Sequence, residues 1–512
     1  MEHINANICA LATPQGSGAI GVIRLSGPDV ISIVDKIFVP SGRNKVSLND
    51  TPAYKMRFGS IYDGAKLLDE ALVALFRAPH SYTGENSVEI SCHGSSYILQ
   101  QVMMLLMKNG VKMAEPGEFS KRAFLNGKLD LAQAEAVADL IASETAAAHQ
   151  VAIKQMKGGF SDELRQMRDS LLNLVSMMEL ELDFSEEDVE FADRTELNNL
   201  LAQVTSKVDS LIESFTLGNV IKNGVPVAII GATNTGKSTL LNTLLGEEKA
   251  IVSNIHGTTR DVIEDTINLG GITFRFIDTA GIRETKETIE IIGIERTYQK
   301  LQQASIVIMV LDATRPEYFR SSLANLSSRL NKDKQKLVIL INKADIISST
   351  LSTAPSPAAF TAATSFPPDS QENTFAEPSI ECWDSSVELK NLIEVITDCC
   401  KEQQLSPIAV LPISAKHKLG MTSLKELLIN SQKQNVAIDS NATLVTNARH
   451  YQALLDAQIA LYRVEDGLAS AIPTDLVAQD IREALYHLGS IVGEINTEEI
   501  LGNIFSRFCI GK

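Results

Sequence analysis

The chain has 512 residues, a formal net charge of −17, 44% hydrophobic residues and 21% charged residues. This length allows about three domains with ample cores, and the composition is ordinary for a globular protein. The acidic balance argues against a general polyanion binder, so any nucleic-acid contact is expected to be local or shared with a basic partner. The six cysteines lack zinc-like spacing, and Cys399 and Cys400 are adjacent, so no disulfide framework is expected.

Targeting features are missing from the sequence pattern. No apolar run approaches the ~20 residues of a membrane span. Residues 1–8 carry an acid and no arginine, unlike a signal or transit peptide. We therefore expect a cytoplasmic protein without a membrane partner.

The first 126 residues mix short strand patterns with turns. Apolar runs at Ala19–Leu25, Glu70–Phe76 and Val88–Cys92 predict strands, and Ser96–Met107 predicts a helix. Together they predict an α+β domain over residues 1–126.

Two helical regions flank the middle of the chain. From Leu129 to about residue 217, apolar residues recur at three- and four-residue spacing, with an acidic break at Asp183–Asp193. Helical patterns return at Asn447–Gly493 and Thr497–Phe505, where Thr497 is a plausible N-cap. The simplest account is one helical domain built from residues 127–219 and 436–512, with a domain at 220–435 inserted into it.

The inserted region begins with a phosphate-binding motif. Val225–Ile230 reads as a buried strand, and Ser238–Leu245 begins a helix. Between them, the run 231–239 fits G-x-x-x-x-G-K-[ST], whose backbone N–H groups cradle phosphates. Lys237 is expected to reach the outer phosphates and Ser238 to bind Mg²⁺. This motif alone indicates a nucleotide without naming the base.

Three later motifs narrow the nucleotide to GTP. The motif Asn342–Asp345 ends in an aspartate. Its carboxylate can accept hydrogen bonds from the N1–H and 2-amino groups of guanine, a donor pattern that adenine lacks. Ser414–Lys416 would supply a backbone N–H to the guanine carbonyl. Asp278–Gly281 ends the strand Ile272–Ile277 and should hold Mg²⁺ through water and sense the γ-phosphate. Each motif follows a strand-like run, so residues 220–435 are predicted to be a Ras-like P-loop GTPase domain in a multidomain α/β and α protein.

The region after Gly281 departs from signalling GTPases, which usually place there a glutamine that orients the attacking water. Ile282 occupies this position and neither donates nor accepts a hydrogen bond. Hydrolysis therefore needs another group, and the candidates that follow are Arg283, Glu284, Glu287 and Glu290.

A monovalent cation is one way to supply the missing positive charge. Asn234 could coordinate such a cation against the phosphates, with help from carbonyls of Ser253–Thr258. The run Gly257–Asp261 resembles a switch I, whose threonine hydroxyl completes the coordination of Mg²⁺.

The predicted GTP-binding residues are Gly231, Asn234, Thr235, Gly236, Lys237, Ser238, Thr239, Ser253, Asn254, Ile255, His256, Gly257, Thr258, Thr259, Asp278, Thr279, Ala280, Gly281, Asn342, Lys343, Ala344, Asp345, Ser414, Ala415 and Lys416. The stretch 348–379 between the guanine motifs is rich in Ser, Thr, Pro and Ala. Its low hydrophobicity predicts a disordered insert, with a partner-docking segment as the alternative.

Both ends of the chain also carry recognisable stretches. These are Ala12–Pro14, Gly18–Gly27, Ser81–Glu89, His93-Gly94, Pro116–Phe119, Arg122–Leu140 and the terminal run Phe508–Lys512. With the GTPase motifs, they resemble, over nearly the whole chain, the family of tRNA uridine-modifying GTPases called MnmE or TrmE. The insert at 348–379 is not typical of that family.

The resemblance implies a K⁺-activated GTPase that works by dimerisation of its GTPase domains. Asn234 would be the side-chain K⁺ ligand. The residues implied to join it at K⁺ are Ser253, Ile255 and Thr258. Thr259 would bind Mg²⁺, and Glu290, twelve residues after Asp278, matches the family's catalytic acid.

The N-terminal domain resembles folate-binding aminomethyltransferase modules. The positions implied to contact a tetrahydrofolate derivative are Arg24, Glu89, Lys128 and Lys512. The charges suit a pterin with a glutamate tail, because Glu89 can pair with pterin N–H donors. On charge alone each would be an ordinary surface residue.

Cys509 allows several interpretations. Its place four residues from the end imitates a prenylation box, but Gly511 and Lys512 fit that pattern poorly. A functional thiol beside the folate carbon is the second interpretation, and a packing role is the third.

The implied activity is GTP hydrolysis coupled to transfer of an aminomethyl-type group onto C5 of the wobble uridine of certain tRNAs. The implied partners are tRNA and an FAD- and NADH-dependent protein, MnmG. A homodimer and a heterotetramer with that partner are also implied. The alternative is a ribosome-assembly or signalling switch. Such a switch would share the GTPase domain but would have no use for a folate pocket.

Overall fold

The computed structural model describes residues 6–14, 16–42, 46–183, 194–248, 265–277, 301–332, 334–347, 387–433, 443–470, 472–494, 498–506, 508 and 510–511. The chain divides into two compact units, one of Met1–Phe215 with Thr443–Lys512 and one of Thr216–Ala442. The predicted GTPase domain, 220–435, lies within the second unit. The N-terminal sheet and the flanking helices share the first unit, so the predicted boundary at residue 126 stays a prediction.

In chain order the described strands are β1 (Ile8–Leu11), β2 (Ile20–Ser26), β3 (Phe38–Pro40), β4 (Lys55–Asp63), β5 (Lys66–Phe76), β6 (Ser87–His93), β7 (Lys112–Met113), β8 (Val225–Ile230), β9 (Asp265–Leu269), β10 (Ile272–Ile277), β11 (Ile306–Asp312), β12 (Lys336–Asn342) and β13 (Pro407–Pro412). The described α-helices are α1 (Val30–Ile37), α2 (Ser96–Lys108), α3 (Glu118–Leu125), α4 (Leu131–Ala142), α5 (Ala146–Met156), α6 (Gly159–Asp183), α7 (Arg194–Asn223), α8 (Lys237–Glu248), α9 (Phe319–Ser327), α10 (Ala344–Ile347), α11 (Val387–Glu402), α12 (Met421–Lys433), α13 (Ala448–Ala469), α14 (Thr474–Val492) and α15 (Glu498–Phe505). None of the described helices has the length and apolar character that crossing a membrane requires.

The N-terminal part of the first unit is a seven-stranded sheet in the order β3-β4-β5-β6-β2-β1-β7. Helices α1 and α2 cover one face, where their apolar side chains share a core with Ile23, Leu25 and Ile90. Because side chains alternate along a strand, Arg24 and Glu89 lie on the other face. The three strands and the helix that the sequence predicts here are confirmed with ends shifted by at most one residue, except that β5 begins at Lys66 and not at Glu70.

A core of helical side chains forms the rest of the first unit. Helices α4, α6, α7, α13 and α14 contribute to it, so segments before and after the second unit pack together. The helical pattern predicted over Asn447–Gly493 is confirmed, but it forms two helices, because α13 ends at Ala469 and α14 begins at Thr474. Pro473 stands before α14, where its missing N–H is tolerated. Thr497, the predicted N-cap, lies outside the described residues.

The second unit is a doubly wound α/β fold. Its sheet has the order β13-β12-β11-β8-β10-β9, and all neighbours are parallel except β9 and β10. Helices α8 and α12 share one core with the sheet, and α9 and α11 share the core on the opposite face. The carboxyl ends of β8, β12 and β13 meet at one edge, which is where such folds bind ligands. The predicted strands Val225–Ile230 and Ile272–Ile277 match β8 and β10.

Candidate functional site

The turn between β8 and α8 forms the predicted phosphate-binding loop. Gly231 and Gly236 have φ angles of +151° and +96°, which favour glycine. A Cβ at Gly231 would lie 2.3 Å from the carbonyl oxygen of Val310, and one at Gly236 would lie 2.1 Å from Nδ2 of Asn342. Both glycines are therefore required by backbone conformation and by close neighbours.

Lys237 opens α8 and turns back over the loop. Its Nζ donates to the carbonyl oxygens of Gly231 and Ala232, at 2.9 and 2.7 Å. Burial lowers the pKa of Lys237, since the charged form is partly removed from water. An anion in the loop would offer this ammonium a charged partner in addition to two neutral carbonyls.

The remaining loop residues differ in exposure. Asn234 has a φ of +61° and an exposed side chain, as expected of a residue that meets a ligand or solvent. Thr235 is buried, and its hydroxyl donates to the carbonyl oxygen of Ala232 at 3.0 Å. Ser238 is half-buried in the first turn of α8, and Thr239 is exposed. The loop therefore presents Asn234, Ser238 and Thr239 outward.

Asn342 joins the phosphate loop to one of the guanine motifs. The side chain is 3% exposed, and its Nδ2 donates to the carbonyl oxygen of Thr235 at 2.7 Å. Its Oδ1 accepts a hydrogen bond from the backbone N–H of Ala415 at 3.0 Å. One buried amide thus sets the spacing between the ends of β8, β12 and β13. The motif Ser414–Lys416 is predicted to supply a backbone N–H to the guanine carbonyl, and within it the N–H of Ala415 donates to Asn342 in this structure.

An ion pair supports the same edge of the sheet. Lys343 has a φ of +64°, and its Nζ lies 2.6 Å from Oδ2 of Asp312 at the end of β11. Burial alone would raise the pKa of Asp312, but hydrogen bonds from Lys343 and Thr314 lower it overall. Asp312 is not among the site residues that the sequence predicts. The usable signal was an acid closing a fully buried strand that is parallel to the strand before Lys343.

The guanine-reading residues occupy adjacent turns. Asp345 is half-buried, and its Oδ2 lies 3.7 Å from Nε2 of His417. Ser414 and Leu419 exchange backbone hydrogen bonds of 3.0 and 3.1 Å, which close the turn that carries Lys416. The hydroxyl of Thr243 in α8 donates to the carbonyl oxygen of Ala415 at 3.0 Å. The structure therefore brings the phosphate loop and both guanine motifs together.

Several predicted site residues lie outside the described part of the chain. They are Ser253, Asn254, Ile255, His256, Gly257, Thr258, Thr259, Asp278, Thr279, Ala280, Gly281, Arg283, Glu290, Cys509 and Lys512.

In the first unit, Arg24 and Glu89 face each other across β2 and β6. Nε and Nη2 of Arg24 each lie 2.9 Å from Oε1 of Glu89, and the two side chains are 24% and 29% exposed. The Arg24 guanidinium carbon lies 5.8 Å from the ring centroid of Tyr82 and 6.0 Å from that of Phe119. Neither ring is among the site residues that the sequence predicts, although each lies within a stretch that resembles the family.

Two further segments approach Arg24. Its Nη1 makes a long hydrogen bond of 3.5 Å to the carbonyl oxygen of Gly511. Lys128 is exposed and lies beside Gly84, where an added Cβ would be 3.3 Å from Cγ of Lys128. Lys128 thus adjoins the loop that carries Tyr82. Of the predicted folate contacts, Arg24 and Glu89 touch each other directly.

Comparison with known proteins places the whole chain in one family. The model of the MnmE helical domain matches residues 131–509, and that of the GTP-binding protein TrmE N-terminus matches residues 7–128. The tRNA modification GTPase MnmE of Bacteroides thetaiotaomicron is 52% identical over 507 residues, covering 99% of both chains. The MnmE of Flavobacterium psychrophilum is 47% identical over 511 residues, again covering 99% of both.

Among solved structures, a GTP-binding protein from Sulfolobus solfataricus in complex with GDP is 17% identical, with a TM-score of 0.27. The match covers 52% of this chain and 67% of that one, and a TM-score this low carries no inference. The full-length identities and the two family models do, and by them this chain belongs to the MnmE (TrmE) family of tRNA modification GTPases.

Proposed function

We propose that this protein is a GTP hydrolase that acts in tRNA modification. The observation that carries the proposal is the buried Asn342 side chain, which joins the phosphate loop to the Ser414–Lys416 segment. A site for a guanine nucleotide needs both parts at a fixed spacing. The names of the full-length relatives supply tRNA modification as the process.

Each described motif residue has a role in this proposal. Lys237 neutralises charge on the phosphates, and Asp345 accepts the guanine N–H donors. Ser238 would hold Mg²⁺, with Thr259 as the second hydroxyl ligand. Mg²⁺ would offset the negative charge that develops on the phosphates. The loop keeps the tight conformation that a phosphate chain requires because Gly231 and Gly236 lack a Cβ, which would collide with Val310 or with Asn342. Asp278–Gly281, Arg283 and Glu290 complete the proposed machinery for hydrolysis.

We further propose that K⁺ activates hydrolysis through Asn234, joined by Ser253, Ile255 and Thr258, as paired GTPase domains close on each other. The exposed side chain of Asn234 at a left-handed position supports this role. Asn234→Ala should abolish stimulation by K⁺ over Na⁺ while leaving GDP binding intact. Thr233→Ala, at the exposed neighbouring position, is the control. The K⁺ proposal fails if Asn234→Ala hydrolyses GTP in both salts at the wild-type K⁺ rate.

The Arg24–Glu89 pair is the proposed site for a tetrahydrofolate derivative, with Lys128 and Lys512. About a quarter of each paired side chain is exposed, and aromatic rings flank the guanidinium, which suits a pterin ring with N–H donors. The folate would supply the one-carbon unit of an aminomethyl-type group at C5 of a wobble uridine. Cys509 would act beside it, and an FAD-dependent partner of the MnmG type would complete a heterotetramer.

We also propose that the sheet face opposite α1 and α2 pairs with a second copy of this chain at its β4 and β5 strands. Met56, Phe58 and Leu72 are 59%, 50% and 41% exposed on this face, and Phe58 lies opposite Leu72 in the β4–β5 pairing. An apolar patch of this kind marks an interface. Phe58→Asp should yield a monomer by analytical ultracentrifugation. Ile459→Asp, at an equally exposed position on α13, should stay dimeric. A dimeric Phe58→Asp variant would refute this interface.

Mass spectrometry of wobble nucleosides tests the proposed function as a whole. A strain lacking the gene should lose an aminomethyl-type C5 uridine in its tRNA, and the wild-type gene should restore it. Failure of Cys509→Ser to restore it would place that thiol in the reaction. Unchanged nucleosides in the deletion strain would instead favour a GTPase switch without a modifying role.

A further inference from the structure

The first turn of α3 contacts both the C-terminal segment and the surroundings of Arg24. This turn begins at Gly117, the N-cap residue of α3, which has a φ of +67°. Phe119 and Ser120 follow in the same turn. Phe119 lies below the Arg24 guanidinium, and Ser120 shares a 2.8 Å hydrogen bond with the hydroxyl of Tyr82. Both aromatic rings near Arg24 are thus held by one helical turn.

The C-terminal segment packs directly on Gly117. An added Cβ at this position would lie 2.6 Å from the carbonyl oxygen of Phe505 and 3.0 Å from Cβ of Phe508. The two phenylalanine rings lie 5.2 Å apart and share a buried cluster with Leu131 and Leu501. A backbone oxygen cannot move away from a new methyl group without moving the segment that carries it. Gly117 therefore permits the segment after α15 to lie against α3.

A second contact holds the same segment beyond Phe508. Gly511 has a φ of +98°, and an added Cβ would lie 2.4 Å from the carbonyl oxygen of Leu11 in β1. Its own carbonyl oxygen accepts the 3.5 Å hydrogen bond from Arg24. The segment is thus held at Phe505–Phe508 by α3 and at Gly511 by β1, and its carbonyl meets the guanidinium.

We infer that Gly117 is a positioning residue for the Arg24 site. It seats the C-terminal segment so that the Gly511 carbonyl and the rings of Tyr82 and Phe119 orient the guanidinium together. This inference rests on the proposed folate function and adds to it. Tetrahydrofolate affinity depends on a glycine that belongs to none of the proposed ligand contacts.

The test is Gly117→Ala in the full-length protein, with tetrahydrofolate as the probe in anaerobic calorimetry. We expect the dissociation constant of tetrahydrofolate to rise about tenfold. The hydrogen bond between Arg24 and the Gly511 carbonyl would be lost, and the C-terminal segment would no longer pack against α3. Hydrogen exchange at the amides of Ser506 and Phe508 should accelerate, while GDP affinity stays at the wild-type value.

Two further variants separate steric contact from backbone strain. Gly64→Ala has nearly the same left-handed φ, +62°, but nothing lies within 4 Å of the added Cβ, so its folate affinity should match wild type. Gly117→Asn tolerates the left-handed φ but still adds a Cβ, so it should bind folate as poorly as Gly117→Ala. Equal losses in Gly64→Ala and Gly117→Ala would overturn the inference.

Phe508→Ala loosens the same segment without changing α3. It should reproduce both the faster exchange and the weaker folate binding of Gly117→Ala. Faster exchange with wild-type folate affinity in either variant would overturn the coupling and leave the folate site in place. A wild-type protein that binds no tetrahydrofolate would overturn the folate proposal itself, and the coupling with it.

Discussion

The nucleotide region and the Arg24 region are constructed in different ways. The phosphate loop is a contiguous turn shaped by backbone conformation, and the single side chain of Asn342 sets its spacing to the guanine motifs. The Arg24 region is assembled from β2, β6, the Tyr82 loop, α3 and Gly511, which are far apart in sequence. A contiguous site such as the phosphate loop can be recognised in the sequence as a short motif. A site assembled from distant segments, such as the Arg24 region, depends on tertiary packing. The two should therefore fail differently when mutated.

The largest effect is expected from Gly236→Ala in the contiguous loop. The new Cβ would lie 2.1 Å from Nδ2 of Asn342, which is hydrogen-bonded to the Thr235 carbonyl and cannot move aside freely. The φ of +96° would add backbone strain in a residue with a side chain. GDP affinity should fall at least about a thousandfold, since the cradle and the link to Ala415 are disturbed together. A fluorescent-GDP titration measures this.

Gly246→Ala is the matched control for that variant. Gly246 lies in α8, and nothing lies within 4 Å of an added Cβ there. It should bind GDP like the wild type. If Gly236→Ala binds GDP as well as Gly246→Ala does, the loop is not shaped by close packing on Asn342.

Asn342→Ala tests the link between loop and guanine motif without strain. It leaves the Thr235 carbonyl and the Ala415 N–H without their buried partner. At about 1–3 kcal/mol for each unsatisfied group, the loss is about 4 kcal/mol, or about 700-fold in the dissociation constant of GDP. Asn391→Ala, at an exposed position on α11, is the control. A loss under about tenfold would mean that Asn342 does not set the spacing.

The extent of sequence prediction follows the same division. The strands Val225–Ile230 and Ile272–Ile277 were predicted to the residue, because buried parallel strands are short apolar runs bounded by turn residues. The break before Pro473 was missed, since apolar periodicity continues on both sides of it. Gly117 and Tyr82 could not be linked to Arg24 from sequence. Their proximity depends on how α3 and the chain end pack, which no local pattern encodes.

A buried ion cluster in the helical core offers a contrast to the Arg24–Glu89 pair. Oε2 of Glu135 lies 2.6 Å from Nε2 of His450 and 2.9 Å from Nη2 of Arg449, which also donates to backbone carbonyls at the end of α14. Burial alone would raise the pKa of Glu135, but His450 and then Arg449 lower it to about 2 from 4.5. The Glu135 carboxylate therefore stabilises the fold through these two partners.

Glu135→Gln should therefore lower stability and leave ligand affinities alone. A depressed acid pKa stabilises the fold above pH 4.5, and this contribution is lost as pH falls from 4.5 towards 2. Urea unfolding at pH 7 should show a loss of at most about 3 kcal/mol, shrinking as pH falls through that window. Glu144→Gln, at an exposed position on the chain just after α4, should change stability little at any pH. A pH-independent loss in Glu135→Gln would assign the effect to packing instead of charge.

Glu89→Gln should instead lower ligand affinity and leave stability almost unchanged, and its expected effects are the smallest of these variants. The Arg24–Glu89 pair is about a quarter exposed, so its contribution to stability is about 0–1 kcal/mol and the unfolding midpoint should hardly move. Tetrahydrofolate affinity should still fall about tenfold, because an amide keeps the shape of the carboxylate but loses its charge and offers a donor where pterin N–H groups need an acceptor. Glu70→Gln, exposed on neighbouring β5, should leave affinity unchanged. If Glu89→Gln instead destabilises the fold as Glu135→Gln does and binds folate normally, the two ion pairs are of one structural kind, and Arg24 belongs to the scaffold of the sheet.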